Sequence, residues 1–325
     1  MLDDLGHTVV VRLDRWQRRH RIPSFTVAIA MRYREDRGRE FGALLSYYGF
    51  ISLFPLLLVL VTVLGIVLDD NAELRNRILD TVYARIPVVG AQLRAATTSL
   101  DSSGVLLLVG LLVTLWAGLA VVKHAQDALN LQWGVPRFRQ PGFVSRTVRA
   151  VGALAVVGLG IVLATVATNL AAFLPGAEGA ARVLGSALAI VINILVLTTS
   201  YRVLIGARIP WRGLLPGGLV GGIALWALQL VGGEYVARVI LDAGDVYGAF
   251  AIVFGLLVWI ALLARVILLA NEVNVVRERR LWPRSFAGSR STDADSRAIE
   301  DAMRREALLA DVQVRLKADD SANGL

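Results

Sequence analysis

Cysteine is absent from all 325 residues, which excludes disulfides, thiolate metal sites and cysteine nucleophiles. Imidazoles are scarce, with only His7, His20 and His124 available. There is no H-x-x-x-H, no acidic cluster at metal-ligand spacing, no Gly-rich phosphate loop and no G-x-S-x-G. The chain is therefore read as a non-enzyme with no cofactor, and any transport it performs is downhill, ion-coupled or partner-driven. Charge is also thin: Asp, Glu, Lys and Arg make up 18%, too little for a soluble domain of this size. What is abundant is apolar surface, with 56% hydrophobic residues and a mean hydropathy of +0.61. The net charge of +8 falls at the N-terminus, two loops and the tail, flanking apolar runs. That distribution marks topology determinants and anionic lipid headgroups rather than a nucleic-acid surface, so no nucleic-acid partner is expected.

The organising stretch is FGALLSYYGFISLFPLLLVLVTVLGIVL, from Phe41 to Leu68. About 20 apolar residues cover the ~30 Å hydrocarbon core of a bilayer, so it is long enough to cross. Its first half nonetheless carries Ser46, Tyr47, Tyr48 and Ser52, and Pro55 sits near its middle as a candidate hinge. Polar groups in hydrocarbon cost several kcal/mol unless paired, so this half should face protein or a wet cavity. Further spans are expected at 104–123, 148–170, 183–205, 214–232 and 249–271. The fold class is all-α: a polytopic bundle of six transmembrane helices with amphipathic interfacial helices.

Three regions follow: a basic amphipathic segment over 1–40, a membrane domain over 41–276 and a tail over 277–325. The excess of Arg and Lys in alternate connections places both termini in the cytoplasm. The opening MLDDLGHTVVVRLDRWQRRHR is charged and its apolar run is too short for a cleavable signal peptide. Val9 to His20 reads as an interfacial helix, with Leu13 and Trp16 dipping into the bilayer while Arg12, Arg15, Arg18 and Arg19 meet headgroups. Arg32, Arg34, Arg37 and Arg39 read as a positive-inside anchor before the first span. Leu74, Ile78, Val82 and Ile86 recur at helical spacing until Pro87, an amphipathic helix outside the membrane core. Glu234, Arg238, Asp242 and Asp245 are assigned to a loop between spans five and six. The tail carries a charged helix from about Asp293 to Lys317, read as a peripheral appendage.

Topology gathers polar residues on the inner side. Span one brings Ser46, Tyr47 and Tyr48; span two ends in Lys123, Asp127 and Asn130, which share one helix face; span six ends in Glu272 and Asn274. Arg265 lies two turns before Glu272, and Asp127 or Glu272 is its natural partner. His124 reads as an interfacial residue. Two readings stay open: a cytoplasm-facing vestibule for an ionic headgroup or small solute, or a charge-paired network that pins helix ends together. Gly217, Gly218, Gly221 and Gly222 form a small-xxx-small pattern for close helix packing. Membrane lipids are the expected partners, with a lipid or amphiphile as substrate, and a homo-oligomer is allowed.

Three blocks resemble the YihY/BrkB family of bacterial inner-membrane proteins: FGALLSYYGFISLFPLLL, LWAGLAVVKHAQDALNLQWGVP and YGAFAIVFGLLVWIALLARVILLANEVNVV. They are similar to the family's A-x-x-Y-Y/F-x-x-L-S-L-x-P-L-L signature, its A-L-N-x-x-W segment and its Y-G…L-x-W…G-A-E-x-N ending. The lead-in MRYREDRGREFGA is similar to the YhjD branch. Two departures stand out: Ala270-Asn271 replaces the usual Gly-Ala, and Arg265 occupies a usually apolar or small position. The resemblance implies an envelope role, with the YhjD branch linked to export of lipid precursors and BrkB-like members to serum resistance. The family's former label, ribonuclease BN, finds no metal-ligand set or His pair here for phosphodiester hydrolysis.

Overall fold

The computed structural model describes residues 2–67, 104–136, 139–168, 177–247, 249–286 and 292–306. The amphipathic helix expected over Leu74 to Ile86 lies outside the described residues. Within them there are helices and no strands. In chain order these are α1 (Leu2–Arg19), α2 (Arg21–Glu35), α3 (Gly38–Val67), α4 (Gly104–Gln132), α5 (Phe143–Thr168), α6 (Glu178–Leu204), α7 (Trp211–Tyr247), α8 (Ala249–Glu278) and α9 (Asp293–Glu306).

Among the described residues, four stretches are long and apolar enough to cross a membrane: Phe143–Thr168, Gly179–Leu204, Trp211–Gly232 and Val253–Glu278. Only 22% to 28% of an apolar 18-residue window in each is buried. The remainder exposes Leu159, Ile161, Val162, Val183, Leu184 and their like to the surroundings. So much contiguous apolar exposure is untenable in water and natural in lipid. The buried stripes are small instead: α5 turns Ala150, Ala153, Gly160, Ala164 and Ala167 inward at helical spacing. It packs there on α6, with Gly160 set against Val196. Small residues let backbones approach where no hydrophobic effect drives helices together.

One expectation is corrected by α7. The stretch carrying Glu234, Arg238, Asp242 and Asp245 is not a loop, because α7 runs unbroken for 37 residues from Trp211 to Tyr247. No proline interrupts its second half, and Ala, Leu, Glu and Arg there favour helix, so charge density alone misled. Pro216 lies near its start, where it removes one backbone donor. The next amide, Gly217 N–H, donates to Asn274 Oδ1 of α8 at 2.6 Å.

By contacts the chain divides into two compact units. The first comprises Met1–Arg39, Gln126–Gly222 and Ile267–Leu325; the second comprises Glu40–Ala125 and Ile223–Val266. In the first unit the α7 glycines face two neighbours. A Cβ on Gly217 would overlap the Ala270 carbonyl of α8, and one on Gly221 would lie 2.7 Å from the Ala270 Cβ. On the other side, a Cβ on Gly218 would overlap Thr198 of α6, and one on Gly222 would lie 2.8 Å from the Ile194 amide nitrogen. In the second unit Tyr48 of α3 stacks on His124 of α4, ring centres 4.6 Å apart. There too the Trp259 ring of α8 fills the space beside Gly232 of α7.

Two helices end alike. After α4, Val135 N–H reaches the Asn130 carbonyl and Gly134 N–H the Leu131 carbonyl, with Gly134 at φ 60°. After α8, Leu281 N–H reaches Val276 and Arg280 N–H reaches Arg277. This is the Schellman arrangement, which needs a left-handed residue at its penultimate position. At α8 that residue is Arg280, at φ 52°.

Candidate functional site: a polar cluster at the helix ends

The first unit concentrates its polar groups where α4 and α8 end. The Asn271 amide donates to Gln132 Oε1 at 2.7 Å, and Gln132 Nε2 donates to the Leu268 carbonyl at 3.1 Å. The Trp133 indole N–H donates to Asn271 Oδ1 at 3.1 Å. All three side chains are buried, so each bond satisfies a group that would otherwise be costly. The final carbonyls of α4 meet two cations. Arg32 donates to the Gln132 carbonyl at 3.4 Å, and Arg279 donates to that of Trp133. Guanidinium groups are favoured there because the helix C-terminus carries partial negative charge.

These two arginines also hold acids. Arg32, with no solvent exposure, pairs with Asp36 one turn on at 2.9 Å and lies 4.0 Å from Asp301 of α9. Arg279 reaches the same Asp301 carboxylate at 2.6 Å. Arg32 is therefore a core residue, which corrects its place in the basic run read as a membrane anchor; Arg34, Arg37 and Arg39 are exposed.

A second cluster ties the chain's beginning to its end. On α1, Asp14 and Gln17 are buried. Asp14 accepts from the Ser285 hydroxyl at 3.0 Å and from Phe286 N–H at 3.1 Å, and it pairs with Arg18 at 2.7 Å. Gln17 donates to the Arg284 carbonyl at 2.7 Å. Arg284 in turn binds Glu35 of α2 at 2.8 Å and Asp295 of α9 at 3.0 Å. Asp295 also caps α9: Thr292 N–H donates to it at 2.9 Å, while Asp295 N–H donates back to the Thr292 hydroxyl at 3.2 Å. That is a capping box with aspartate in the usual glutamate place. Burial pushes the Asp295 carboxyl up, but hydrogen bonds from Thr292, Arg284 and Ser285 outweigh it and hold the group below the ordinary carboxylate range. Burial likewise pulls Arg284 down, and the bond and charge of Glu35, then of Asp295, more than restore it, leaving it above its usual value. The start of the tail helix is thus locked to α1 and α2 rather than being a peripheral appendage.

The residues singled out in the sequence fall into both units. In the first, Asn130 accepts Gly206 N–H at 2.7 Å, and Asn274 accepts Gly217 N–H as described. Asp127 pairs with Arg146 of α5 at 2.6 Å, and Glu272 is fully buried. Of the second unit, Ser46 is buried and donates to the Ala43 carbonyl of its own helix at 2.9 Å. Tyr47 is 55% exposed and meets Tyr48 edge to face. Lys123 is half-buried, and Pro55 lies within the bounds of α3. Arg265 is exposed on α8 and has no acidic partner among the described residues. The pairing expected for it with Asp127 gives way to Arg146–Asp127, because the Arg146 side chain reaches that carboxylate from α5. Sequence reading missed Gln132, Trp133, Asn271, Arg279 and the Asp14–Arg284–Asp295 cluster as interacting groups. The i,i+4 spacing of Arg32 and Asp36 and the T-x-x-D at Thr292 were the available local signals.

Long helices that present aliphatic side chains outward and keep a dry polar cluster at their ends make this an all-helical membrane protein. It belongs to the BrkB family: the family model described as virulence factor BrkB matches residues 29–294. Among curated relatives, a UPF0761 membrane protein of Azotobacter vinelandii is 27% identical over 262 residues, 78% of this chain and 63% of the relative. The inner membrane protein YhjD of Escherichia coli is 30% identical over 104 residues, 31% of each chain. A UPF0761 membrane protein of Laribacter hongkongensis is 26% identical over 266 residues, 78% of this chain and 61% of the relative. The chain thus spans from about a third to just under two thirds of the length of these relatives. No solved structure matches it.

Proposed function

We propose that this protein is a non-ATP-driven transporter or flippase-like exporter of an envelope lipid or amphiphile in the bacterial inner membrane. On this reading α3 and α4 complete a set of six spans, and both termini lie in the cytoplasm. The observation that carries it is Arg265. It is exposed on α8 inside the apolar stretch Val253–Glu278, with no carboxylate partner among the described residues. Twelve residues at ~1.5 Å each separate it from Arg277 at the helix end, roughly 18 Å, too far for a side chain to snorkel. An ionisable group at such depth is expensive unless an anion or water meets it, and a passing phosphate headgroup supplies that anion. Lys123 would extend the same cationic path, and Pro55 with the α7 glycines would permit helix movement.

The test is a scrambling assay in proteoliposomes carrying a fluorescent anionic lipid. Wild type should move lipid faster than empty vesicles, and Arg265→Ala should slow it about tenfold, the equivalent of ~1.4 kcal/mol of lost contact. Arg265→Lys should be intermediate. A wild-type rate equal to that of empty vesicles rejects the proposal.

A second reading is favoured by a different observation. Asn130 and Asn274 are both spent on backbone amides, and Asp127 on Arg146. Polar groups already committed to holding helices together suit a non-transporting scaffold that supports envelope integrity. Envelope phenotypes that persist in Arg265→Ala alongside a null transport rate would select it.

A further inference from the structure

Helix α1 is turned opposite to the usual habit of an amphipathic helix on a soluble core. Its inward edge is polar: Asp14 and Gln17 are buried against the Arg284–Phe286 segment. Its apolar side chains point away, with Leu13 at 52% and Trp16 at 55% exposure. At ~100° per residue, Leu13 and Trp16 lie about a quarter-turn round from the buried edge, and Arg12, Arg15 and Arg19 lie beyond them. These three arginines are exposed and have no acidic partner among the described residues, whereas Arg18 is taken by Asp14. Trp16 is therefore bordered by cations on neighbouring turns, and it rests on the His20 ring at 4.9 Å. Beyond His20 the chain exposes Ile22 as well, at 82%.

The location of this face matters as much as its content. The segment that grips α1 begins only a few residues after α8, whose apolar stretch Val253–Glu278 ends at the basic Arg277, Arg279 and Arg280. In the first unit, then, α1 is tied to a segment that follows a candidate span within a few residues, and such basic flanks are where headgroups are expected. A tryptophan and a leucine flanked by exposed arginines are complementary to a negatively charged bilayer surface: the apolar side chains enter the acyl boundary and the guanidinium groups meet phosphate.

We propose that α1 docks on the anionic surface of the surrounding bilayer through Leu13 and Trp16, with Arg12, Arg15 and Arg19 as the headgroup contacts. Asp14 and Gln17 set which face is presented, because they fix the helix's rotation against the C-terminal segment. The docking is independent of whether lipid is transported, since it uses neither Arg265 nor Lys123.

The natural absence of cysteine makes the test clean. Full-length Leu13→Cys and Trp16→Cys proteins, each carrying a polarity-sensitive dye, are reconstituted into vesicles of phosphatidylcholine with or without phosphatidylglycerol. Lipids bearing a nitroxide just below the headgroup should quench both dyes severalfold more strongly than aqueous iodide does. The preference should weaken when phosphatidylglycerol is left out. It should weaken likewise when Arg12, Arg15 and Arg19 are changed together to Gln, although folding, monitored by thermal unfolding, is retained. Iodide quenching as strong as in detergent would place the face in water and overturn the proposal. So would dye–dye self-quenching relieved by dilution with unlabelled protein, which would assign the face to a second copy of the chain.

Discussion

Gln132 of α4 and Asn271 of α8 join their side-chain amides at 2.7 Å, and neither has appreciable contact with solvent. The pair sits between the Trp133 indole and the Leu268 carbonyl, so donors and acceptors continue on both sides. Such a bond gains from the low dielectric around it, and its loss is felt by every member of the row.

Removing both partners should therefore cost less than the two separate losses combined. Asn271→Leu leaves Gln132 Oε1 and the Trp133 N–H without their partners, at about 1–3 kcal/mol for each buried group. The double variant Gln132→Leu/Asn271→Leu should be less destabilised than the sum of the singles, with a coupling of roughly 0.5–3 kcal/mol. Thermal or denaturant unfolding in detergent, read as a double-mutant cycle, checks this; additive effects would mean that the two amides act independently.

Arg280 occupies a left-handed position that glycine fills at the end of α4. Arg280→Gly should raise stability by about 1 kcal/mol, since the strain of an L side chain there is relieved. Gly134→Ala should lower it by a similar amount. The sign difference between the two substitutions, read from unfolding midpoints, is the decisive result.

The α7 glycines differ from those that face open space. Gly222→Val would drive a side chain into the Ile194 backbone and should cost about 1–3 kcal/mol or prevent folding. Gly158→Ala on α5, where nothing lies within 4 Å of an added Cβ, should be neutral or slightly stabilising. Equal losses at both sites would show that packing is not what the α7 glycines supply.

The Asp295 contacts carry a defined pH dependence. Its carboxyl is held below the ordinary value of 3.8, so its stabilisation is complete above that pH and is lost as pH falls through the lower folded-state value. Arg284, raised rather than lowered, stays charged throughout this window. Amide protection over residues 292–301, taken relative to the intrinsic exchange rate, should fall on acidification below 3.8, and Asp295→Asn should show that lower protection already at neutral pH. Unchanged protection in the variant would mean that α9 is held by other contacts.

Much of the helical plan could be read from hydropathy alone. The apolar runs expected over 148–170 and 183–205 became α5 and α6, because twenty greasy residues without a break have few other options. Polarity was harder to read. Arg32 looked like its neighbours Arg34 and Arg39, and only the arrival of Asp301 and the end of α4 made it a core residue. Likewise the partners of Asp14 lie 271 and 272 residues away, and no local pattern announces such a pair. Asn271 had been visible as a departure from the family's usual ending, without any sign that Gln132 would meet it. Charge also hid helix: the acidic and basic residues after Gly232 suggested a turn where α7 simply continues.

The join between Asp14 and Ser285 has a temporal side. A ribosome adding about 5–20 residues per second needs on the order of 15–50 s to travel the 271 residues between them. Throughout that time every candidate span has emerged while the polar edge of α1 is still waiting for its mate. The nascent chain thus enters the bilayer with α1 unlatched, and the segment that closes it leaves the ribosome only after every candidate span.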